Sequence, residues 1–180
     1  IEKPISNEQK GLKELNYEAV KNNCVLTIGY NLRFLPSLNK FKKLIDENLI
    51  GDIYSIRSEV GQYLPNWRDT DYRKTVSAQK SLGGGVLLEL SHELDYLRWI
   101  FGDVESVQAQ LSRQSQLDID VEDTAHIILK FKQKENNNNL VASLSLDFIR
   151  HDKVRSCHVI GEKASLRWDG LTGDIDLFKS

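Results

Sequence analysis

The chain has 180 residues, 40% hydrophobic and 28% charged, with 24 basic and 26 acidic side chains and a formal net charge of −2. That length suits one ordinary domain, or one domain plus part of another. Acids and bases are interspersed, which argues against nucleic acid or a membrane surface as the main partner. No apolar run approaches the ~20 residues that span a bilayer, and no signal-peptide pattern opens the chain, so a cytoplasmic location is expected. Cys24 and Cys157 lack the CxxC spacing and are read as buried free thiols in a reducing compartment.

No methionine occurs anywhere, including position 1. The opening Ile1-Glu2-Lys3-Pro4 reads as the end of a strand, so the chain is expected to have lost an N-terminal part. The run from Ser6 to Asn22 has helical spacing, with Leu12, Leu15, Ala19 and Val20 on one side and Ser6 or Asn7 as N-cap. Cys24 to Tyr30 is almost wholly apolar, which suits a strand covered on both faces. The order strand end, helix, strand predicts the last crossover of a parallel α/β sheet. Pro36 to Asn48 reads as a second amphipathic helix with Leu38, Phe41, Leu44 and Ile45 inward, and Ile53 to Gly61 alternates as a strand. Gln62 to Leu82 has no clean period, and a loop of that length inside a compact domain is usually functional or disordered.

Gly83 to Gly102 is the stretch around which the rest is arranged. It predicts a glycine-led helix of about four turns with a glycine stop. Leu87, Leu90, Leu94, Leu97 and Phe101 fall on one stripe at about 100° per residue. His92 lies opposite, with Glu89 and Asp95 one turn to either side. A satisfied polar cluster would also explain this face. Leu88 and Trp99 share it, however, so it is expected to border something other than bulk water.

Beyond Gly102 the period becomes 2. Val107, Ala109 and Leu111 alternate with polar residues, as do Ala125 to Phe131 and Leu140 to Phe148. Short runs at 154–160, 164–168 and 175–178 continue the pattern, and Asn136 to Asn139 reads as a hairpin loop. The expectation is an antiparallel, largely meandering sheet with one apolar face. Ser143, Ser145 and Asp147 on the other face leave it flat enough for a second subunit. The fold class is therefore α+β, an antiparallel sheet with helices on one face, preceded by a β-α-β remnant of a doubly wound sheet.

The motifs resemble the Gfo/Idh/MocA family (glucose–fructose oxidoreductase/inositol dehydrogenase/rhizopine catabolism). The resemblance rests on Glu2-Lys3-Pro4, Gly29-Tyr30-Asn31-Leu32-Arg33-Phe34, Ile50-Gly51-Asp52-Ile53, Gly83-Gly84-Gly85 leading to His92 and Asp95, and Val121-Glu122-Asp123-Thr124-Ala125, in that order. It implies that residues 1–30 are the end of a Rossmann-type dinucleotide-binding domain and 31–180 a substrate-binding and oligomerisation domain. It implies an NAD- or NADP-dependent oxidoreductase moving hydride to or from a hydroxyl or keto carbon of a sugar, cyclitol or sugar-nucleotide-like substrate. The main cofactor domain would be absent, so the chain alone is expected to be inactive. A homodimer or homotetramer through the open sheet face is expected.

The resemblance further implies that Lys3 sits between nicotinamide and substrate, where an ammonium stabilises developing negative charge, and that His92 is the general acid/base. Glu2, Pro4, Asn31 and Arg33 join Lys3 as expected cofactor contacts. The family has Asp four residues before the histidine. Here that position is Leu88, so Glu89 is the expected replacement. Tyr63, Trp67 and Tyr72 offer ring faces to a sugar, Arg68 and Arg73 offer forks for a carboxylate or phosphate, and Asp95 completes the expected substrate set.

Other chemistries fit less well. His92-Glu93-Leu94-Asp95 has only half of a HExxH site, and no metal site is expected. No glycine-framed serine or Cys–His pairing marks a nucleophile. Gly83–Gly85 is not preceded by a strand and reads as a turn that lets backbone approach a ligand. The alternative to an enzyme is a non-catalytic substrate-binding or oligomerisation module.

Overall fold

In the computed structural model, which describes residues 1–132 and 139–179, the chain is α+β. The helices are α1 (Leu12–Lys21), α2 (Pro36–Asp46), α3 (Val86–Glu89) and α4 (His92–Phe101). The strands are β1 (Ile53–Gly61), β2 (Val104–Ser112), β3 (Thr124–Phe131), β4 (Val141–Asp147), β5 (Val154–Gly161), β6 (Ser165–Asp169) and β7 (Ile175–Phe178). They form one sheet in the order β2-β3-β4-β1-β5-β6-β7. Each neighbouring pair is antiparallel except β1 and β4, which run parallel from Ile56 opposite Ala142 to Gly61 opposite Asp147. The wholly antiparallel sheet expected from the period is thus corrected to a mixed one, because β1 inserts at its centre.

One face of the sheet carries the core. Ile56 and Val60 of β1, Ile127 and Leu129 of β3, and Leu144 and Leu146 of β4 are all buried there. Helices α2 and α4 cover this face, and Trp168 of β6 joins them. Its ring lies 6.4 Å from Phe41 of α2 and 5.6 Å, edge-on, from Tyr96 of α4. Its Nε1 donates to Ser37 Oγ at 3.1 Å. The hydroxyls of Tyr96 and Ser58 share a buried hydrogen bond of 2.6 Å, which removes the cost of placing either inside. The opposite face presents His126, Ile128, Arg57 and Glu59 to solvent.

Several expectations are corrected here. Helix α1 starts at Leu12 behind a left-handed Gly11, and Ser6 only closes a local turn by accepting from Glu8 N–H. Val20 is 72% exposed, and nothing on α1 is buried. Cys24–Tyr30 forms no strand, Val25 is 94% exposed, and Cys24 is an exposed thiol. Cys157 is buried as expected, and burial pushes its thiol up to about 12. Val107, Ala109 and Leu111 do point to the helix side, opposite Leu129, Ile127 and Ala125. They remain exposed, because β2 is the edge strand and the helices do not reach it. Asn136 to Asn138 of the expected hairpin lie outside the described residues.

Candidate active site

The glycine run and the helix behind it are built by packing within the chain. A Cβ on Gly84 would sit 2.2 Å from the Val76 carbonyl oxygen, and Gly85 has a φ of +108° with the Glu122 carboxylate 2.5 Å from where its Cβ would stand. What approaches this backbone closely is the chain's own 76–79 turn and Glu122. Glu122 then caps α3, its carbonyl accepting from Val86 N–H and its carboxylate from Leu87 N–H. The next residue, Asp123, is fully buried and holds Gln114 and Ser115 N–H groups. The Val121–Ala125 motif is therefore a structural clamp on the start of α3.

The expected continuous helix breaks at Leu90–Ser91 into α3 and α4. The break rotates the buried stripe, so that Glu93, Tyr96 and Ile100 are buried while Leu87 and Leu94 are only half-buried. It also makes His92 the first residue of α4 and leaves Glu89 on α3.

His92 borders a cleft of about 630 Å³. Lys3 arrives from the opening segment, and its ammonium donates to the Glu89 carbonyl. The Glu89 carboxylate accepts from Ser77 Oγ at 2.6 Å and makes no bond to the imidazole. Among the described residues, His92 Nδ1 is sealed from solvent without a hydrogen-bond partner. Tyr30 packs edge-on against the ring at 5.7 Å. Burial, then the Lys3 and Arg155 cations, hold the imidazole down at about 4, so it is neutral at ordinary pH. Burial likewise lowers the Lys3 ammonium, against the pull of Glu89 and Glu93.

Beneath these groups lies Glu93, 0% exposed, bound through Oε1 to Arg155 Nε at 2.8 Å. Burial raises its carboxyl, and the Arg155 cation opposes that rise. Glu93 and Arg155, with Gln62, Lys153 and the Gly170–Leu171 turn, belong to the cleft or its floor and were not anticipated. Leu90, Tyr96 and Leu97, three or four residues to either side of Glu93, were the available signal that it is buried.

Of the anticipated residues, Lys3, Asn31, Trp67, Arg68, Glu89 and His92 line this one cleft. The rest sit elsewhere. Arg33 and Asp95 bind one another in a two-pronged pair at 2.8 and 2.7 Å, with Arg33 also over the Trp99 ring. Arg73 is turned onto Asp71, both nitrogen–oxygen distances being 2.8 Å. Tyr63 lies against the His151 ring at 4.4 Å with a tilt of 43°, and the Tyr72 hydroxyl accepts from Asp118 N–H. Glu2 and Pro4 flank Lys3 without lining the cleft. Among the described residues no cluster of metal-ligating side chains occurs, and no helix is long and apolar enough to cross a membrane.

Levoglucosan dehydrogenase of Pseudarthrobacter phenanthrenivorans is 36% identical over 115 residues, covering 62% of this chain and 28% of the relative. Oxidoreductase P35 of Formosa agariphila is 26% identical over 189 residues, covering 100% of the chain and 54% of the relative. The solved structure of a levoglucosan dehydrogenase in complex with NADH superposes with a TM-score of 0.82 at 26% identity, over 99% of this chain and 50% of that one. The WlbA dehydrogenase of Chromobacterium violaceum, in complex with NADH and UDP-GlcNAcA, gives 0.81 at 25% identity, with 99% and 50% covered. The chain thus spans about half or less of the length of these relatives. The family model for the GFO/IDH/MocA C-terminal domain matches residues 38–167, and the chain belongs to the GFO/IDH/MocA family.

Proposed function

We propose that this chain is the substrate-binding and proton-transferring part of a nicotinamide-dependent oxidoreductase acting on a hydroxyl-bearing carbon of a sugar-like substrate. The observation that carries the reading is the meeting of Lys3 and His92 in one cleft from opposite ends of 88 intervening residues. The relatives are dehydrogenases and oxidoreductases by name, which agrees with it. A bound nicotinamide would supply the hydride acceptor or donor. Lys3, Asn31 and the partnerless imidazole fit the reacting end of such a group and its substrate. No glycine-rich phosphate cradle of the Gly-x-Gly-x-x-Gly type is present in the sequence.

Residues 1–30 read as the edge of the dinucleotide-binding side. Ile1 N–H donates to Thr27 O at 2.9 Å and Ile1 O accepts from Gly29 N–H at 2.8 Å, the bonding of a single parallel step across α1. Residues 31–180 read as the substrate-binding side. In the oxidising direction His92, neutral and accessible at Nε2, takes the hydroxyl proton. Lys3 holds the oxygen as its negative charge grows, and the buried setting strengthens that interaction. In the reducing direction the same two groups return the proton. Glu89 acts through its carbonyl, which fixes the ammonium, and not through an Asp-like bond to the imidazole. The open sheet face, with Ile128 and Phe178 exposed, is where a second copy would pack.

His92→Asn in the intact enzyme is expected to lower kcat by roughly 10²-fold or more, as removal of a general acid/base does. Near-normal turnover in that variant would sink the assignment.

A further inference from the structure

Transfer of hydride to or from a neutral polyol needs one cation and one proton carrier, and the cleft holds more than that. Lys3, Arg68, Lys153 and Arg155 all line it. Glu89 is the lining acid, and its carboxylate already accepts from Ser77. The chain as a whole is slightly negative, so this excess of positive charge is local.

Two of the four cations are uncommitted, and Arg155 is committed through one nitrogen only. Arg68 and Lys153 make no hydrogen bond or ion pair among the described residues, and Arg155 uses only Nε, leaving both terminal amines free. Arg33, Arg73 and Arg150 behave differently, each gripping a carboxylate through both Nε and a terminal amine. Arg155 is also held in place. Glu93 grips it from the interior, Gly170 N–H donates to its carbonyl at 2.7 Å, and its stem crosses Gly170 where a Cβ would stand 2.5 Å from Arg155 Cγ. A carboxylate at 0% exposure is costly to maintain, and the side chain it binds among the described residues is Arg155, which lines the cleft.

We infer that the cleft takes a substrate bearing an oxyanion, a carboxylate or a phosphate on a polyhydroxylated skeleton. Arg155 supplies the two-pronged grip, Arg68 and Lys153 add charge, and Lys3 and His92 act on the hydroxyl. The planar guanidinium edge matches two oxyanion oxygens at once, which an ammonium cannot do. This rests on the oxidoreductase reading above for the location of the reacting carbon, and on the uncommitted cations for the charge.

The test is calorimetric titration of the intact enzyme with glucose, glucuronate and glucose 6-phosphate at low and high salt. Binding of at least one acidic sugar at least tenfold tighter than glucose is expected, with the margin shrinking in salt. The acid that binds tighter identifies the carboxylate or the phosphate as the source. The double variant Arg68→Gln, Lys153→Gln disturbs no buried carboxylate and is expected to lose about tenfold. Arg155→Gln, checked for folding by circular dichroism, is expected to lose roughly ten- to hundredfold. Equal binding of glucose and the acids, binding of none of them, or an acid preference untouched by these variants overturns the inference. Reduction of NAD or NADP by the intact enzyme is scored separately. Acid-selective binding without hydride transfer on any sugar supports the anion site and removes the oxidoreductase reading. Turnover of glucose with no acid preference does the reverse.

Discussion

The first 37 residues and the remaining chain are built on different terms. Leu38 is the first buried residue, and every core side chain lies at or beyond it. The opening segment is attached by a few polar contacts, Lys3 on the Glu89 carbonyl and Arg33 on Asp95 among them, and by the half-buried Leu32 and Leu35 near its end. Yet it delivers the ammonium beside His92. The body supplies stability and a fixed imidazole, whereas the opening supplies charge at little cost in packing. Chemistry and stability are therefore separable here by substitution.

The largest expected effect lies in the body. Trp168→Ala removes a fully buried indole that joins α2 to α4, and should cost about 3–5 kcal/mol by urea denaturation. Leu15→Ala, in the exposed α1, should cost less than about 1 kcal/mol. Comparable losses at the two positions would erase the distinction. Glu93→Ala should fall between them at about 1.5–3 kcal/mol, since it strips Arg155 of a charged hydrogen bond. It should also loosen acidic-sugar binding, which a mere packing defect in α4 would not do selectively.

The same contrast explains what could be read from the chain alone. β3 to β6, α2 and Ile53–Gly61 were legible because one face is buried and polar residues alternate with it. The place of β1 was not, because its neighbours β4 and β5 come 80 or more residues later and periodicity carries no information about distant pairing. Cys24–Tyr30 misled for a related reason. Its apolar run predicts a covered strand, but among the described residues its one long-range backbone partner is Ile1. The break at Leu90–Ser91 was hidden by residues that each favour helix, and it displaced the buried stripe onto Glu93. Of the cleft, Lys3 and His92 were legible through short motifs in order. Arg155 was not, since a lone arginine in a strand looks solvated until Glu93 is seen beneath it.

The smallest effect on stability should be the most informative about the site. Lys3→Met removes an ammonium from the weakly packed opening and should change unfolding free energy by less than about 1 kcal/mol. Burial is the main reason His92 stays neutral down to about 4, and the Lys3 charge is the next. In the variant the imidazole should therefore titrate higher, part of the way toward its ordinary value near 6.5. The sign for stability follows. A histidine depressed in the folded state binds its proton more readily when unfolded, so its contribution is intact above about pH 6.5 and is lost as pH falls toward 4. The Lys3→Met protein should lose less over that interval than the parent. An NMR titration of the four histidines separates the causes, because His158 is lowered by burial, Arg57 and Arg167 on the far sheet face and has no link to Lys3. A rise at His92 with His158 unmoved would place the ammonium of the opening segment within electrostatic reach of the imidazole. Equal shifts at both, or none at either, would mean that the two regions do not share a site in solution.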